Sequence, residues 1–450
     1  MDIKINSKQI KSGDTFIAIK GNNLDGHNYI DEAIKNGATK IICEHGNYEV
    51  ETVVVDNTKK YLNEYLYNNY YNKIKDIKLI GITGTNGKTT SAYLIYQALN
   101  KCNILSAYIG TIGFITKNEV KELNNTTPDI LEVYEILLEC SEKNIKYVVM
   151  EVSSHALELD RLNNLYFDIA IFTNLTQDHL DFHKTMDNYI NSKKKLFDKI
   201  NKNGYSIVNY DDLYANSIKT KDSILYGYNS NNFKILNYSI NDGMKFNVEI
   251  DKSDYEFSTK LMGKFNVYNM MNVIITLYLL EINIDKIIQI VSELEPPFGR
   301  NYIIKYKTNN IVIDYAHTPD AVKKIINTAL EYTKDNVYTI VGCGGNRDKT
   351  KRPIMGEIAT SLSTEAIITS DNPRNEDPLL IIDDIIKGIK KNNYCIEVDR
   401  SRAIKLGISK LAENDTLLIL GKGHENYQII NGVKNYFSDF DEVKKNIGNE

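Results

Sequence analysis

Short runs of consecutive apolar residues alternate along most of this chain with segments whose apolar residues recur at helical spacing. From residue 77, IKLIGIT reads as a buried strand. Glycines follow, then TTSAYLIYQALNK, in which Ala92, Ile95 and Leu99 share a helix face. KYVVMEV (146–152), DIAIFTN (168–174) and SIVNY (206–210) are further strand candidates. Residues 224–260 read as short antiparallel strands and 266–281 as a helix. PPFGR at 296–300 punctuates the chain. Beyond it, IVIDYA (311–316), VYTIVGC (337–343), EAIITS (365–370), YCIEV (394–398) and TLLIL (416–420) alternate with helix-like segments, the pattern of a doubly wound parallel sheet. Ahead of residue 77, the runs TFIAI, KIIC and VVV and a helix-like segment at 29–36 predict a small α/β unit. The polar stretch YNNYYNKIKD (67–76) reads as a connector. The expectation is an α/β protein of three domains, 1–75, 76–298 and 299–450, the last Rossmann-like.

Composition narrows the class. A chain of 450 residues exceeds one ordinary core and suggests about three domains. Net charge is −5, with Lys and Arg spread along the chain, which argues against a nucleic-acid binder. The five cysteines are far apart and form no CxxC pair, as expected of reduced thiols in a cytoplasmic protein. MDIKINSKQI has no apolar core of a signal peptide, and VIITLYLL at 273–280 falls short of the roughly 18 residues that suggest a membrane span. A cytoplasmic monomer without membrane or nucleic-acid partners is expected.

GITGTNGKTT at 81–90 carries the sharpest chemical signal. A strand, a glycine turn, Lys88 and two threonines precede a helix, so backbone N–H groups can close around phosphates at a helix N-terminus. Lys88 would reach the terminal phosphates and the Thr89 hydroxyl would meet Mg²⁺. The spacing departs from the general phosphate loop: two residues, not four, separate Gly84 from Gly87. A plain glycine-rich turn is the competing reading.

TGTNGKTT resembles the shortened ATP loop of the Mur ligases, a family that includes folylpolyglutamate synthetases, and the resemblance extends over nearly the whole chain. It implies ATP-dependent amide formation through an acyl phosphate, with ATP and Mg²⁺ as cofactors. ATP would be held by Gly84, Thr85, Asn86, Gly87, Lys88, Thr89 and Thr90 of a central phosphate-loop domain, with Asn266, Arg300 and Asp314. MEVSSHAL (150–157) and FTNLTQDHLDFH (172–183) set Glu151 and His179 just past successive strands. A lone Glu or His in a loop is usually solvated; two in phase with the phosphate loop suit a magnesium site with Thr89. Asp178, Asp181 and His183 are weaker candidates. DNYINSKKKLF (187–197) is similar to the family segment carrying a carbamylated lysine, which falls on Lys193; by chemistry alone, 193–195 reads as a solvated lysine run. Lys88, Lys193 and His179 would be the catalytic residues.

The resemblance also assigns substrates. INSKQIKSGDTFIAIKGNNLDGHNYI (5–30) is similar to the domain that holds the UDP end of a peptidoglycan precursor, with Ser7 matching and Lys8 standing where the family has Arg. Thr126, Thr127, Ser153 and Arg161 match contacts to UDP-N-acetylmuramoyl-L-alanyl-D-glutamate. Ligands of open α/β sheets bind beyond the carboxyl ends of the strands. There the last third places Asp314-Tyr315-Ala316-His317, Gly344 to Asp348, Asp371-Asn372-Pro373-Arg374 and Gly421 to Glu425. Asp371, Asn372, Pro373 and Arg374 resemble the signature of members that add meso-2,6-diaminopimelate, and an Arg there can pair with the distal carboxylate that lysine lacks. Arg347, Gly421 and Glu425 match further positions around the diamino acid. The competing readings are a lysine-adding relative, a folylpolyglutamate synthetase and a nucleotide-dependent switch without a ligase site.

Overall fold

The computed structural model describes residues 1–21, 24–240 and 243–448. Asn22 and Asn23, inside the 5–30 segment, and Asn241 and Asp242, inside 224–260, lie outside the described residues. Four parallel strands open the chain: β1 (Ile3–Lys4), β2 (Thr15–Ile17), β3 (Lys40–Cys43) and β4 (Glu51–Val54). The expected helix at 29–36 forms as Ile30–Lys35.

An eleven-stranded sheet follows, with spatial order β15-β14-β13-β12-β11-β10-β5-β9-β6-β7-β8. Its members are β5 (Lys78–Thr83), β6 (Ser106–Gly110), β7 (Gly113–Thr116), β8 (Glu119–Lys121), β9 (Tyr147–Glu151), β10 (Phe167–Phe172), β11 (Ile200–Asn209), β12 (Ile224–Gly227), β13 (Phe233–Ile240), β14 (Met244–Ile250) and β15 (Ser253–Thr259). The parallel strands are buried on both faces, which is why they read as unbroken apolar runs. Along them, side chains alternate between two cores: Val148, Met150, Ala170 and Phe172 pack beneath, and Ile80, Ile82, Val149 and Ile171 above. The upper core takes helices Lys88–Lys101 and Lys264–Leu279, joined by a polar seam in which Asn272 Nδ2 donates to Ser91 Oγ (2.9 Å) and Ser91 Oγ to Asn269 Oδ1 (3.1 Å).

Two expectations are corrected here. Residues 67–76 are not a connector: they fall mostly in a 17-residue helix, Thr58–Ile74, whose Leu62, Leu66 and Ile74 pack into the lower core with helix Ile130–Glu142. Its polar surface of Tyr, Asn and Lys masks three anchors. Within 224–260 only β13 to β15 are antiparallel. β12 runs parallel to both β11 and β13, and Asp211 accepts the backbone N–H groups of Tyr228 and Asn229 in the loop that leaves β12.

The last sheet has the order β16-β17-β21-β18-β19-β20, from β16 (Tyr302–Tyr306), β17 (Asn309–Asp314), β18 (Val337–Val341), β19 (Glu365–Ile368), β20 (Tyr394–Ile396) and β21 (Thr416–Leu420). It is parallel except for β16, and it is covered on both faces, by helices Pro319–Tyr332, Lys351–Leu362 and Pro378–Ile386 on one and Arg400–Ser409 and Asp439–Ile447 on the other. The doubly wound expectation holds. β21 returns to lie between β17 and β18, so the winding reverses at their carboxyl ends and opens a crevice there. A hairpin of β22 (Tyr427–Ile430) and β23 (Val433–Tyr436) stands beside it. Among the described residues no helix is long and apolar enough to cross a membrane.

Candidate active site

β5 ends at Thr83, and the loop it feeds turns through Gly84 and through Gly87, which has φ 86° and caps the helix beginning at Lys88. Thr173 Oγ1 and Asn174 Nδ2 donate to the Asn86 carbonyl at 2.7 and 2.9 Å, so the strand end next door fixes the loop. Lys88 folds back, Nζ donating to the carbonyls of Gly84 (2.9 Å) and Thr85 (2.8 Å), and burial lowers its pKa. Glu151 is fully buried at the end of β9. It accepts from Thr89 Oγ1 (2.9 Å), the Thr111 N–H (2.8 Å) and the Tyr108 hydroxyl. Arg300 reaches across from the start of the last domain, its Nη2 donating to Thr89 Oγ1 at 3.1 Å. Its Nε is buried without a partner, and its guanidinium lies 4.4 Å from the Tyr315 ring centre.

His179 sits in left-handed backbone (φ 54°), its ring 4.8 Å from that of His155. Burial drives its pKa down to about 3 against the pull of Asp178, so the imidazole is neutral near neutral pH. Lys193 is not part of a solvated run. Whereas Lys194 is exposed, Lys193 is buried, with Nζ 2.9 Å from the Gly84 carbonyl and 4.3 Å from the Tyr189 ring centre. Burial, reinforced by Lys88, takes its pKa well below the ordinary value. Desolvation of this kind favours the neutral amine, the form that can take up CO₂. Of the weaker candidates, His183 is buried against Ser154 Oγ at 2.9 Å.

A cleft of about 500 Å³ runs from the loop to the last domain, lined by Asn86, Gly87, Thr90, Asn266, Arg300 and Asp314 among others. Asn266 is anchored to the Met262 carbonyl (2.8 Å) and accepts from Asn269 (2.8 Å). Asp314 accepts the N–H groups of Asn301 (2.6 Å) and Ala316 (2.7 Å), and burial raises its pKa. Asn86 Nδ2 bridges the two domains to Asp320 Oδ2 at 2.8 Å. These residues fit a nucleoside triphosphate: a glycine turn and an orphaned guanidinium donor face one space, with Lys88 folded against the same loop. They also fit magnesium in one particular way. Among the described residues no three His, Cys, Asp or Glu side chains cluster as a metal site, so Thr89 and Glu151 would supply oxygens and phosphate and water the rest.

Next to Glu151, Thr127 Oγ1 donates to its carbonyl (2.8 Å), the Ser153 N–H donates to Thr127 Oγ1 (3.0 Å) and Arg161 Nη1 donates to the Thr127 carbonyl (3.1 Å). Thr126 meets Thr111 at 3.2 Å. Four of the five residues expected at the precursor therefore gather in one place. Ser7 does not join them: its hydroxyl donates to Glu32 at 2.6 Å, tying the short turn Ser7–Gln9 to helix Ile30–Lys35.

At the carboxyl edge of the last sheet, Arg374 adopts φ 55° and donates from Nη1 to the Gly345 carbonyl at 2.8 Å. Pro373 precedes it, and Arg347 is exposed nearby. The hairpin holds this loop, with the Arg374 N–H donating to the Ile429 carbonyl (2.9 Å), the Ile429 N–H to Asn372 Oδ1 (2.9 Å) and Gln428 Nε2 to the Asp371 carbonyl (2.6 Å). Gly421 turns with φ 113°. Glu425 accepts from Asn372 (2.8 Å) and Lys422 (3.1 Å); burial, then Asp371, raises its pKa. Sequence reasoning passed over Tyr108, Thr111, His155, Asp320 and Lys422. The GKGHE run was visible, but nothing in a sequence marks a lysine as buried.

The chain matches three family descriptions: "Mur ligase family, catalytic domain" over residues 2–84, "Mur ligase middle domain" over 82–277 and "Mur ligase, glutamate ligase domain" over 299–423. It is 41% identical to a UDP-N-acetylmuramoyl-L-alanyl-D-glutamate--2,6-diaminopimelate ligase of Clostridium perfringens, covering 97% of this chain and 93% of the relative. It is 40% identical to the enzyme of the same name from Aquifex aeolicus, over 100% and 94%. A solved structure of a ligase with this name, 29% identical, superposes with a TM-score of 0.68 over 99% of this chain and 94% of the other. The Thermotoga maritima MurF ligase in complex with ADP, 18% identical, has the same fold, with a TM-score of 0.70 over 99% and 96%.

Proposed function

The chain belongs to the Mur ligase family, ATP-dependent enzymes that form amide bonds, and from that premise we propose that it joins meso-2,6-diaminopimelate to UDP-N-acetylmuramoyl-L-alanyl-D-glutamate in peptidoglycan synthesis. A carboxylate is a poor electrophile, and phosphoryl transfer from ATP supplies a leaving group by making an acyl phosphate. Such transfer depends on positioning and charge neutralisation. Lys88 and Arg300 would face the phosphates, and Asn266 and Asp314 the nucleoside. Mg²⁺, held by Thr89 and Glu151 with phosphate and water and, as the resemblance implies, by His179, would offset the developing charge. Carbamylation of Lys193 would convert a buried amine into an anion beside the loop. Thr126, Thr127, Ser153 and Arg161 would orient the precursor next to Glu151, with Ser7 on its uridine end. Arg374 would take the distal carboxylate of the diamino acid, with Arg347, Asp371, Asn372 and Gly421 shaping the pocket and Glu425 taking the amine. One chain carries every residue named, so a monomer suffices.

The observation that carries this reading is the single hydrogen-bonded path from Arg300 through Thr89 to Glu151, which joins the last domain, the phosphate loop and the precursor side. The lysine-adding alternative lacks a use for Arg374. The test is a ligation assay in which phosphate release is followed with the precursor and either meso-diaminopimelate or L-lysine. Release that needs both substrates and strongly prefers diaminopimelate is expected. Equal turnover with lysine would refute the substrate assignment, and release without the second substrate would refute the ligase.

A further inference from the structure

Lys422 is a lysine removed from solvent. It is fully buried, and its Nζ finds three acceptors: Glu425 Oε2 at 3.1 Å, Asn372 Oδ1 at 3.4 Å and the Tyr427 carbonyl. A buried ammonium is tolerated when charge and hydrogen bonds compensate it. Here both compensating side chains belong to the diamino-acid pocket. Glu425 Oε2 is thereby engaged twice, by Lys422 and by Asn372 Nδ2, whereas Oε1 has only the Tyr427 hydroxyl at 3.5 Å. Fixing one oxygen of a carboxylate points the other in a defined direction.

We propose that Lys422 is a positioning residue that determines specificity for the diamino acid: its buried ammonium holds Glu425 by Oε2, leaves Oε1 for the incoming amine and offsets the negative charge that would otherwise attract any bare cation. This rests on the diaminopimelate reading above. Charge balance gives the reason. Arg347, Arg374 and Lys422 stand against Asp371 and Glu425, while Arg400 is neutralised by Asp439 at 2.7 Å. A distal group carrying carboxylate and ammonium together adds no net charge to this set. A lysine side chain adds one more cation to a pocket that already has an excess of them. Without Lys422 that excess disappears, and the discrimination against lysine weakens with it.

Charged and titratable groups facing Glu425 are Asp371, Lys422, Arg374, Arg400, Tyr315 and Tyr427. Burial and Asp371 raise the Glu425 pKa and Lys422 opposes them, so removing the lysine raises it further. The test uses Lys422→Met in the full-length enzyme. The preference for diaminopimelate over lysine is expected to fall about tenfold, the loss of one charge-assisted contact. KM for diaminopimelate should rise while KM for ATP stays put. An unchanged preference, or an equal loss for diaminopimelate and lysine, would overturn the proposal. Should that variant fail to fold, Glu425→Gln leaves Lys422 uncompensated. Inhibition should then shift from lysine toward 2-aminopimelate, which keeps the distal carboxylate and lacks the amine; an unchanged order of the two would overturn the proposal. If the unmodified enzyme does not turn over diaminopimelate, the parent reading falls and this one with it. If it does and the variants are indifferent, only the Lys422 inference falls.

Discussion

The phosphate-loop region and the crevice proposed to take the diamino acid each bury a lysine, Lys193 in the first and Lys422 in the second, but they treat it in opposite ways. Lys88 and Lys193 donate hydrogen bonds only to backbone carbonyls, and burial lowers both pKa values. Lys422 is paired with a carboxylate three residues away. Among the described residues no carboxylate pairs with either lysine of the first region, which leaves Lys88 and Arg300 to meet a ligand carrying several negative charges. The second sets Arg347, Arg374 and Lys422 against Asp371 and Glu425, suited to a ligand carrying both signs. Each pocket is thus the electrostatic complement of what it is proposed to receive.

The contrast can be broken from either side. Lys88→Ala removes the cation of the loop and should lower kcat on the order of a thousandfold with the thermal midpoint retained; a loss below tenfold would remove the lysine from the chemistry. Lys193→Ala should lower kcat by about a hundredfold, with partial rescue by short carboxylates and bicarbonate dependence in the parent enzyme. Full activity without rescue would dispose of the carbamate. Arg374→Ala should reduce kcat/KM for diaminopimelate by roughly 10- to 100-fold while leaving lysine turnover unchanged, since a charged hydrogen bond is worth about 1.5–3 kcal/mol. Equal losses for both amino acids would mean that the residue only supports the loop.

The smallest effect concerns pH. Burial lowers the pKa of His183 and His317 to about 4 and of His424 to about 3. A histidine with a depressed folded-state pKa stabilises the fold above its unfolded value near 6.5, and that contribution is lost as pH falls toward the folded value. Each should cost about 1 kcal/mol between pH 7 and 5.5. Urea unfolding at the two pH values measures this, and equal midpoints would contradict it.

Much of this was legible in the sequence where burial leaves a pattern. The strands flanking Glu151 and the loop at Gly84 are apolar on both faces and read as runs. The crevice residues Asp314, Asp371 and Gly421 could be located because strand ends define one edge. Legibility failed where burial leaves no mark. Helix Thr58–Ile74 hides three anchors in a polar stretch. Lys193 and Lys194 are the same letter with opposite fates, and only the resemblance separated them. Tyr108 and Thr111 reach Glu151 from β6 and the turn after it, a short buried strand that the apolar pattern did not single out.

The bridge from Asn86 to Asp320 has a mechanical meaning. It fastens the tip of the glycine loop to a helix of the neighbouring lobe through one uncharged-to-charged contact, worth about 1–3 kcal/mol. Even with the Arg300–Thr89 contact beside it, a fastening of that strength is small against the buried core of either lobe, a button and not a weld.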